Sequence, residues 1–271
     1  MHEAADRSGR PAGARHQPRK RFGQHFLHDP AMIRRIVQAI APRAGENVIE
    51  IGPGEGAITW PLLEILGRLT VIELDRDLIP RLRAAVPAGR ELEIIEADAL
   101  TVDFGTIGAG VDLRLVGNLP YNISTPILFH CIESLDAIRD MHFMLQKEVV
   151  ERMAAGPGSK VYGRLSVMLQ LACRVEPLLQ VGPGAFRPPP KVDSALVRLT
   201  PLPQDERHGA NHALVARLVR SAFGQRRKTL ANALRGVAGS EALAAAGIDP
   251  GQRAEQLAPE AFVALAAVLA G

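Results

Sequence analysis

The sequence predicts an α/β protein: a mostly parallel, doubly wound sheet with an antiparallel hairpin at its edge, followed by a small all-helical region. Three observations carry this. Short apolar runs alternate with helical patterns from Pro30 to about residue 172, the signature of βαβ units. A glycine-rich turn, Gly52-Pro53-Gly54-Glu55-Gly56, follows the first apolar run and leads into a helical pattern. Beyond Pro201 and Pro203 the apolar residues keep helical spacing only.

Asp29-Pro30 reads as an N-cap with proline at the first helical position, opening a helix through about Ile40. Asn47 to Ile51 is a short apolar strand, and the glycine turn joins it to a helix from Ala57 to about Leu66. Leu69 to Leu74 is the next strand, followed by a helix over 76–85 and strands over 91–95 and 111–116. A helix over 125–135, a strand over 138–145 and a helix over 163–172 continue the alternation. Val175 to Val181 and Ser194 to Leu199 have no helical pattern between them and are expected to form the edge hairpin. Pro201 to Gly209 reads as a linker, and His212–Phe223, Arg226–Arg235, Glu241–Ala246 and Pro259–Leu269 carry helical patterns. The expected organisation is a basic arm over 1–21, a sheet-bearing domain over 22–200 and a helical domain over 207–271.

Of the 271 residues, 47% are apolar and no run is long enough to cross a bilayer, so a soluble, membrane-free protein is expected. Cys131 and Cys173 lie in apolar stretches without metal or redox spacing, which predicts buried thiols in a reducing, cytoplasmic setting. The formal charge is +3, but it is local. The first 21 residues hold six Arg/Lys against Glu3 and Asp6, and seven Arg/Lys without an acid lie between Arg207 and Ser240. Two basic blocks suit a polyanion, although a solvated helical face has the same composition. The arm lacks the apolar core of a secretory signal. Its recurring arginines fit a transit peptide, against which its glycines, prolines and acids argue.

Asn118-Leu119-Pro120-Tyr121 is placed at the carboxyl end of the strand over 111–116, where open α/β sheets bind ligands. An exocyclic base amine is a poor nucleophile because its lone pair is conjugated into the ring. A catalyst for it needs neutral hydrogen-bond acceptors and an aromatic face. Asn118 supplies a side-chain carbonyl and Tyr121 a face, while Pro120 biases Leu119 toward an extended conformation that can present its backbone carbonyl. The competing reading is an ordinary strand-ending turn. Glu73 and Asp98 end the second and third strands, so four consecutive strand ends carry Gly, Glu, Asp and Asn, an arrangement that fits an S-adenosylmethionine pocket. Gly52-x-Gly54-x-x-Ala57 also satisfies the relaxed dinucleotide pattern, which keeps a nicotinamide oxidoreductase in view.

The segments Arg19–Leu27, Val48–Gly54, Val71–Asp77, Gly117–Thr125, Met141–Glu148, Ala185–Ser194 and Phe223–Leu230 together resemble the ribosomal RNA adenine N6,N6-dimethyltransferases, in particular their bacterial small-subunit branch. The last 40 residues match only as a helical, alanine-rich continuation. The resemblance implies a Rossmann-like class I methyltransferase fold and transfer of methyl groups from S-adenosylmethionine to two adjacent adenines in the 3′-terminal hairpin of small-subunit ribosomal RNA. It implies His25, Leu27, Gly52, Gly54, Glu73, Asp98 and Asn118 as cofactor-binding residues. His25 stands where the family usually has asparagine; its imidazole can still hydrogen-bond the cofactor, in a contact that then depends on pH, and the competing reading, which is favoured, is a contact through the backbone. The resemblance also sets Phe186 against the target base opposite Tyr121, in a site formed with Asn118, Leu119 and Pro120. Stacking of this kind contributes roughly 1 to 3 kcal/mol per base. Arg217, Arg220, Arg226, Arg227 and Lys228 are expected to contact RNA phosphates. No metal is required, and the expected partner is a pre-ribosomal particle bound by a monomer. A large-subunit RNA methylase and a ribosome-assembly factor with secondary catalysis are the rival readings.

Overall fold

The computed structural model describes residues 25–108, 110, 112–207 and 212–271. The basic arm expected over 1–21 lies outside them. The chain opens with a two-residue strand, β1 (Phe26–Leu27), and helix α1 (Pro30–Ile40). The Asp29 carboxylate caps α1 by accepting from the Ala31 and Met32 amides, as the Asp-Pro signal predicts. Then follow β2 (Asn47–Ile51), α2 (Thr59–Leu66), β3 (Arg68–Glu73), α3 (Ile79–Ala84), β4 (Glu91–Glu96), α4 (Phe104–Ile107), β5 (Leu113–Asn118) and α5 (Ser124–Ile132). The first half ends with β6 (Ile138–Gln146), α6 (Lys147–Ala154) and α7 (Arg164–Gln170). After it come β7 (Cys173–Val181), the two-residue β8 (Phe186–Arg187) and β9 (Ser194–Pro201).

Seven strands form one sheet in the order β4-β3-β2-β5-β6-β9-β7. The first five are parallel, and β9 runs antiparallel to both β6 and β7. The chain leaves β2 toward one edge and returns through β5 toward the other, so the strand order reverses between these neighbours. Such a switch point opens a crevice at the strands' carboxyl ends. Side chains alternate across the sheet as strand geometry requires. Ile49, Ile51 and Leu115 join the core on one face, and Val48 and Val116 join that on the other.

Two features fix the crevice. A Cβ on Gly117 would lie 2.6 Å from the Ile51 carbonyl oxygen, so β5 approaches the end of β2 more closely than any side chain permits. At the opposite end of the sheet the buried Arg114 donates to Asp140 Oδ1 at 3.0 Å, to Glu46 Oε2 at 2.6 Å and to the Ile40 carbonyl at 2.7 Å. One guanidinium thereby ties the end of α1 to β5 and β6.

Four elements depart from the sequence expectation, one being the short helix α4, which was not expected between the strands over 91–95 and 111–116. Helix α6 follows β6 without a break, beginning at the polar Gln146-Lys147-Glu148 that directly ends the apolar run of β6, with no turn residue to announce it. The β1 and β8 pair, Phe26 with Arg187 and Leu27 with Phe186, is too short to show periodicity. The helix expected over Arg226–Arg235 shrinks to α9 (Leu230–Ala233), since residues 225–228 form a turn closed by the Lys228 amide on the Gln225 carbonyl at 2.8 Å.

Helices α8 (His212–Gly224), α9, α10 (Ser240–Ala245) and α11 (Pro259–Ala270) share a core with Tyr162, Val167, Met168 and Leu171 of the α7 region. The buried Tyr162 hydroxyl donates to the Leu257 carbonyl at 2.8 Å. The C-terminal helices therefore sit on the sheet-bearing part through α7. Arg207 of the expected linker pairs with Asp136 at 2.7 Å. Cys131 and Cys173 are free and buried, and burial pushes both thiols above their ordinary range, Cys173 to about 12. Among the described residues no helix is long and apolar enough to cross a membrane.

Candidate active site

The crevice at the carboxyl ends of β2, β3, β4 and β5 brings His25, Leu27, Gly52, Gly54, Glu73, Asp98 and the tetrad Asn118 to Tyr121 into one lining. Gly54, at φ 58°, turns the chain in the left-handed region, and a Cβ there would meet the Phe26 ring at 3.1 Å. Only glycine lets the turn and β1 close on each other this tightly. Glu73 is 6% exposed, and its two oxygens accept from the Gly54 amide at 3.3 Å and the Asp75 amide at 2.8 Å. Burial raises its pKa, partly offset by these amides. Each oxygen keeps a lone pair for a diol. Asp98 accepts from the Leu100 amide through one oxygen at 3.0 Å, caps a short turn and belongs to the crevice lining.

Asn118 is the last residue of β5, and its Nδ2 donates to the His25 carbonyl at 2.9 Å. A backbone carbonyl can only accept, so the amide orientation is chemically determined and Oδ1 is turned away as a free acceptor. The His25 backbone is thus engaged within the crevice lining by Asn118. The His25 ring bonds the Pro188 carbonyl through Nδ1 at 2.8 Å and lies 5.6 Å from the Tyr121 ring, tilted 32°. Leu119 has a buried side chain, and its amide donates to the Met144 carbonyl at 3.2 Å. Tyr121 is pinned through its hydroxyl to Ser194 Oγ at 2.8 Å, which holds its ring at the mouth. Burial raises its pKa.

Phe186 is the one expected catalytic residue that does not line the crevice. It is 3% exposed and packs with Leu27, Val181 and Leu196. Its side chain faces the core because β8 pairs with β1 at Leu27, and in this conformation the ring beside Tyr121 is His25. The basic residues also divide. Arg217, Arg220, Arg227 and Lys228 are exposed, with no ion pair among the described residues. Arg226, by contrast, is committed to the fold: it pairs with Glu255 at 2.8 Å and donates to the Lys160 carbonyl at 2.6 Å.

Glu50 is a crevice residue that the motifs did not single out, though an acid inside the apolar run Val48–Ile51 is a signal in itself. It is 2% exposed, and its Oε2 makes no hydrogen bond of normal geometry. Burial pushes its pKa up to about 7, partly offset by the neighbouring Thr59 hydroxyl and reinforced by Glu73. An acid whose folded pKa is raised costs stability as pH rises from its ordinary value through the raised one. Glu50→Gln is therefore expected to leave the thermal midpoint unchanged near pH 4.5 and to stabilise the ligand-free protein above pH 7, by up to about 3 kcal/mol. Thermal melts of both proteins across that range check it; a parallel pH dependence removes the assignment.

A profile of the ribosomal RNA adenine dimethylase family matches residues 15–271. The protein named ribosomal RNA small subunit methyltransferase A from Xanthomonas campestris pv. campestris (strain B100) is 59% identical over 251 residues, covering 92% of this chain and 95% of that one. Its namesake from Xanthomonas oryzae pv. oryzae (strain PXO99A) is equally similar, at 59% over 251 residues. Among solved structures, a dimethyladenosine transferase from Plasmodium falciparum superposes with a TM-score of 0.76 at 27% identity, covering 89% of this chain and 96% of that one. The 23S rRNA methyltransferase ErmE superposes with a TM-score of 0.70 at 27% identity, covering 91% and 100%.

Proposed function

The chain belongs to the ribosomal RNA adenine dimethylase family, and from that premise we propose that it uses S-adenosylmethionine to methylate N6 of two adjacent adenines in the 3′-terminal hairpin of small-subunit ribosomal RNA. The observation that carries the chemistry is the oriented Asn118 amide, whose Oδ1 is left free beside the pinned Tyr121 ring. The small-subunit target is supported by relatives of that name at 59% identity over nearly their whole length.

The crevice fits the cofactor on the chemistry of its donor set. Glu73 keeps acceptors for ribose hydroxyls, Asp98 for an adenine amino group, and the Gly52–Gly54 turn admits a close ligand. Leu27 and the His25 backbone close the same side through β1. Bound there, S-adenosylmethionine supplies an electrophilic methyl group whose departure leaves a neutral thioether.

The protein's own part is positioning. Asn118 Oδ1 and the Leu119 carbonyl accept from the N6 hydrogens, which turns the nitrogen lone pair out of conjugation. Tyr121 holds the flat base by one face. Neither acceptor is a strong base, and none is needed, because the proton is lost readily once nitrogen carries the new bond. Orientation and a partly dry crevice provide most of the acceleration. A monomethylated amine keeps one hydrogen, so rotation about the C6–N6 bond presents it again.

We assign the protein to the cytoplasm, where Cys131 and Cys173 stay reduced, acting as a monomer on an immature small subunit. Incubation with unmodified small subunits and mass mapping of the RNA is expected to show dimethylation at two neighbouring adenines near the 3′ end. Methylation of protein-free large-subunit RNA instead would overturn the small-subunit assignment.

A further inference from the structure

The loop over 155–163, which joins α6 to α7, is stitched to the C-terminal region at every second residue. The Gly158 amide donates to the Glu255 carbonyl at 2.7 Å, the Lys160 carbonyl accepts from the Arg226 guanidinium at 2.6 Å, and the Tyr162 hydroxyl donates to the Leu257 carbonyl at 2.8 Å. Arg226 also donates from Nε to the Glu255 carboxylate at 2.8 Å. Glu255 thus holds the loop with its backbone and Arg226 with its side chain, and Arg226 in turn holds the loop at Lys160.

This stitching gathers charge. Arg226 brings Lys160 against the turn over 225–228, although 66 residues of chain separate the two. Lys160, Arg227 and Lys228 are all exposed and, among the described residues, form no ion pair. Glu255, the acid at this junction, is neutralised by Arg226, so the three cations keep no counter-charge. Such a cluster, anchored through the backbone on two segments, suits a polyanion. Neither 156–161 nor 225–228 holds an aromatic residue, so the surface offers nothing on which a base could stack and fits backbone phosphates instead.

We infer that the loop between α6 and α7 is a further RNA-binding element, whose Lys160 meets the phosphate backbone of the small-subunit RNA beside Arg227 and Lys228, and that Arg226 is the positioning residue that fixes this loop rather than a phosphate contact itself. The inference rests on the proposed reaction on ribosomal RNA. The surface is shared by the sheet-bearing part and the C-terminal helices, so RNA held there bears on both. Contacts of this kind set the position of the RNA and carry no sequence information.

Lys160→Gln is the decisive variant. Lys160 enters the stitching through its main-chain carbonyl, so glutamine leaves those hydrogen bonds in place and the melting temperature is expected to stay unchanged. Binding of the full chain to unmodified small subunits is measured as a function of salt, and the slope of log affinity against log salt is expected to fall by about one. Arg226→Lys keeps the charge, but an ammonium lacks the planar fork that bridges Glu255 and the Lys160 carbonyl. It is expected to weaken binding, and adding Lys160→Gln to it is expected to cost little more, because both act through the same contact. S-adenosylhomocysteine affinity is expected to stay unchanged in all three variants. An unaltered slope in Lys160→Gln overturns the inference, and so does affinity lost at an unchanged slope, which marks contact with a protein of the particle. Normal binding by Arg226→Lys, or losses that simply add, overturns the positioning role. If the unaltered protein methylates no ribosomal RNA, the reaction itself is misassigned; if it methylates normally while the Lys160→Gln slope does not move, only this surface fails.

Discussion

Asn118→Ala is expected to lower the methyl-transfer rate by about 10²–10³-fold while leaving RNA affinity near its normal value. The magnitude is that of removing one preorganised hydrogen-bond partner from a reacting centre. The direction follows from geometry. The Asn118 amide spends its donor on the His25 carbonyl, so its oxygen faces the crevice without the freedom to rotate. Alanine removes the acceptor and releases the β1 strap together. Asn118→Asp keeps an acceptor but sets a carboxylate against the His25 carbonyl, so it is expected to recover little. Single-turnover methyl incorporation, with RNA binding measured separately, distinguishes lost chemistry from lost substrate. Near-normal turnover in Asn118→Ala would falsify the assigned mechanism.

Arg114→Ala is expected to destabilise the fold by about 3–5 kcal/mol, the cost of leaving buried charges unpaired. The side chains of Arg114, Glu46 and Asp140 are all at least 87% buried by their 5%, 13% and 13% exposure. Asp140 is held below the ordinary carboxylate range although burial opposes this, because His142 and Arg114 favour its charged form. Glu46 is lowered likewise, against burial, by the Arg43 amide and by Arg114. Carboxylates with depressed folded pKa values contribute stability above their ordinary range and lose it as pH falls through the depressed values. The unaltered protein is therefore expected to lose stability steeply below about pH 4, and Arg114→Ala to show a shallower loss from a lower starting point. Denaturant midpoints at pH 7, at pH 4 and at about pH 2.5 check both statements. Equal stability of the two proteins at pH 7 would remove the network from the account of the fold.

The parts of the site that a strand pattern could place were legible in the sequence. Glu73 and Asn118 end apolar runs of period-independent hydrophobicity, and Asp98 follows the edge strand β4 by two residues, so parallel pairing puts the three ends side by side. What depends on partners distant in the chain was not. The orientation of Asn118 is set 93 residues away at His25, and the anchoring of Tyr121 comes 73 residues away from Ser194. The commitment of Arg226 to Glu255 spans 29 residues, so a basic run that reads as uniform is divided by its tertiary setting. Phe186 shows the same limit. Its motif identifies an aromatic residue near the crevice, but which face it presents follows from the pairing of two-residue strands that have no sequence period. Helix α6 was hidden for a local reason, since it starts at the residue after β6 with no glycine, proline or capping side chain between them.

The contact of Gly117 with the Ile51 carbonyl has a consequence for how two methyl groups reach one nitrogen. Because a Cβ would stand 2.6 Å from that oxygen, the strand end bearing the acceptor and the strand end bearing the glycine turn are a single rigid gauge. The gap between donor and nucleophile is set once, in the backbone. A pocket of fixed gauge cannot widen for the bulkier monomethylated base, so its amine must turn about the C6–N6 bond within it. Under the proposed reaction, completeness of methylation is then a property of the crevice.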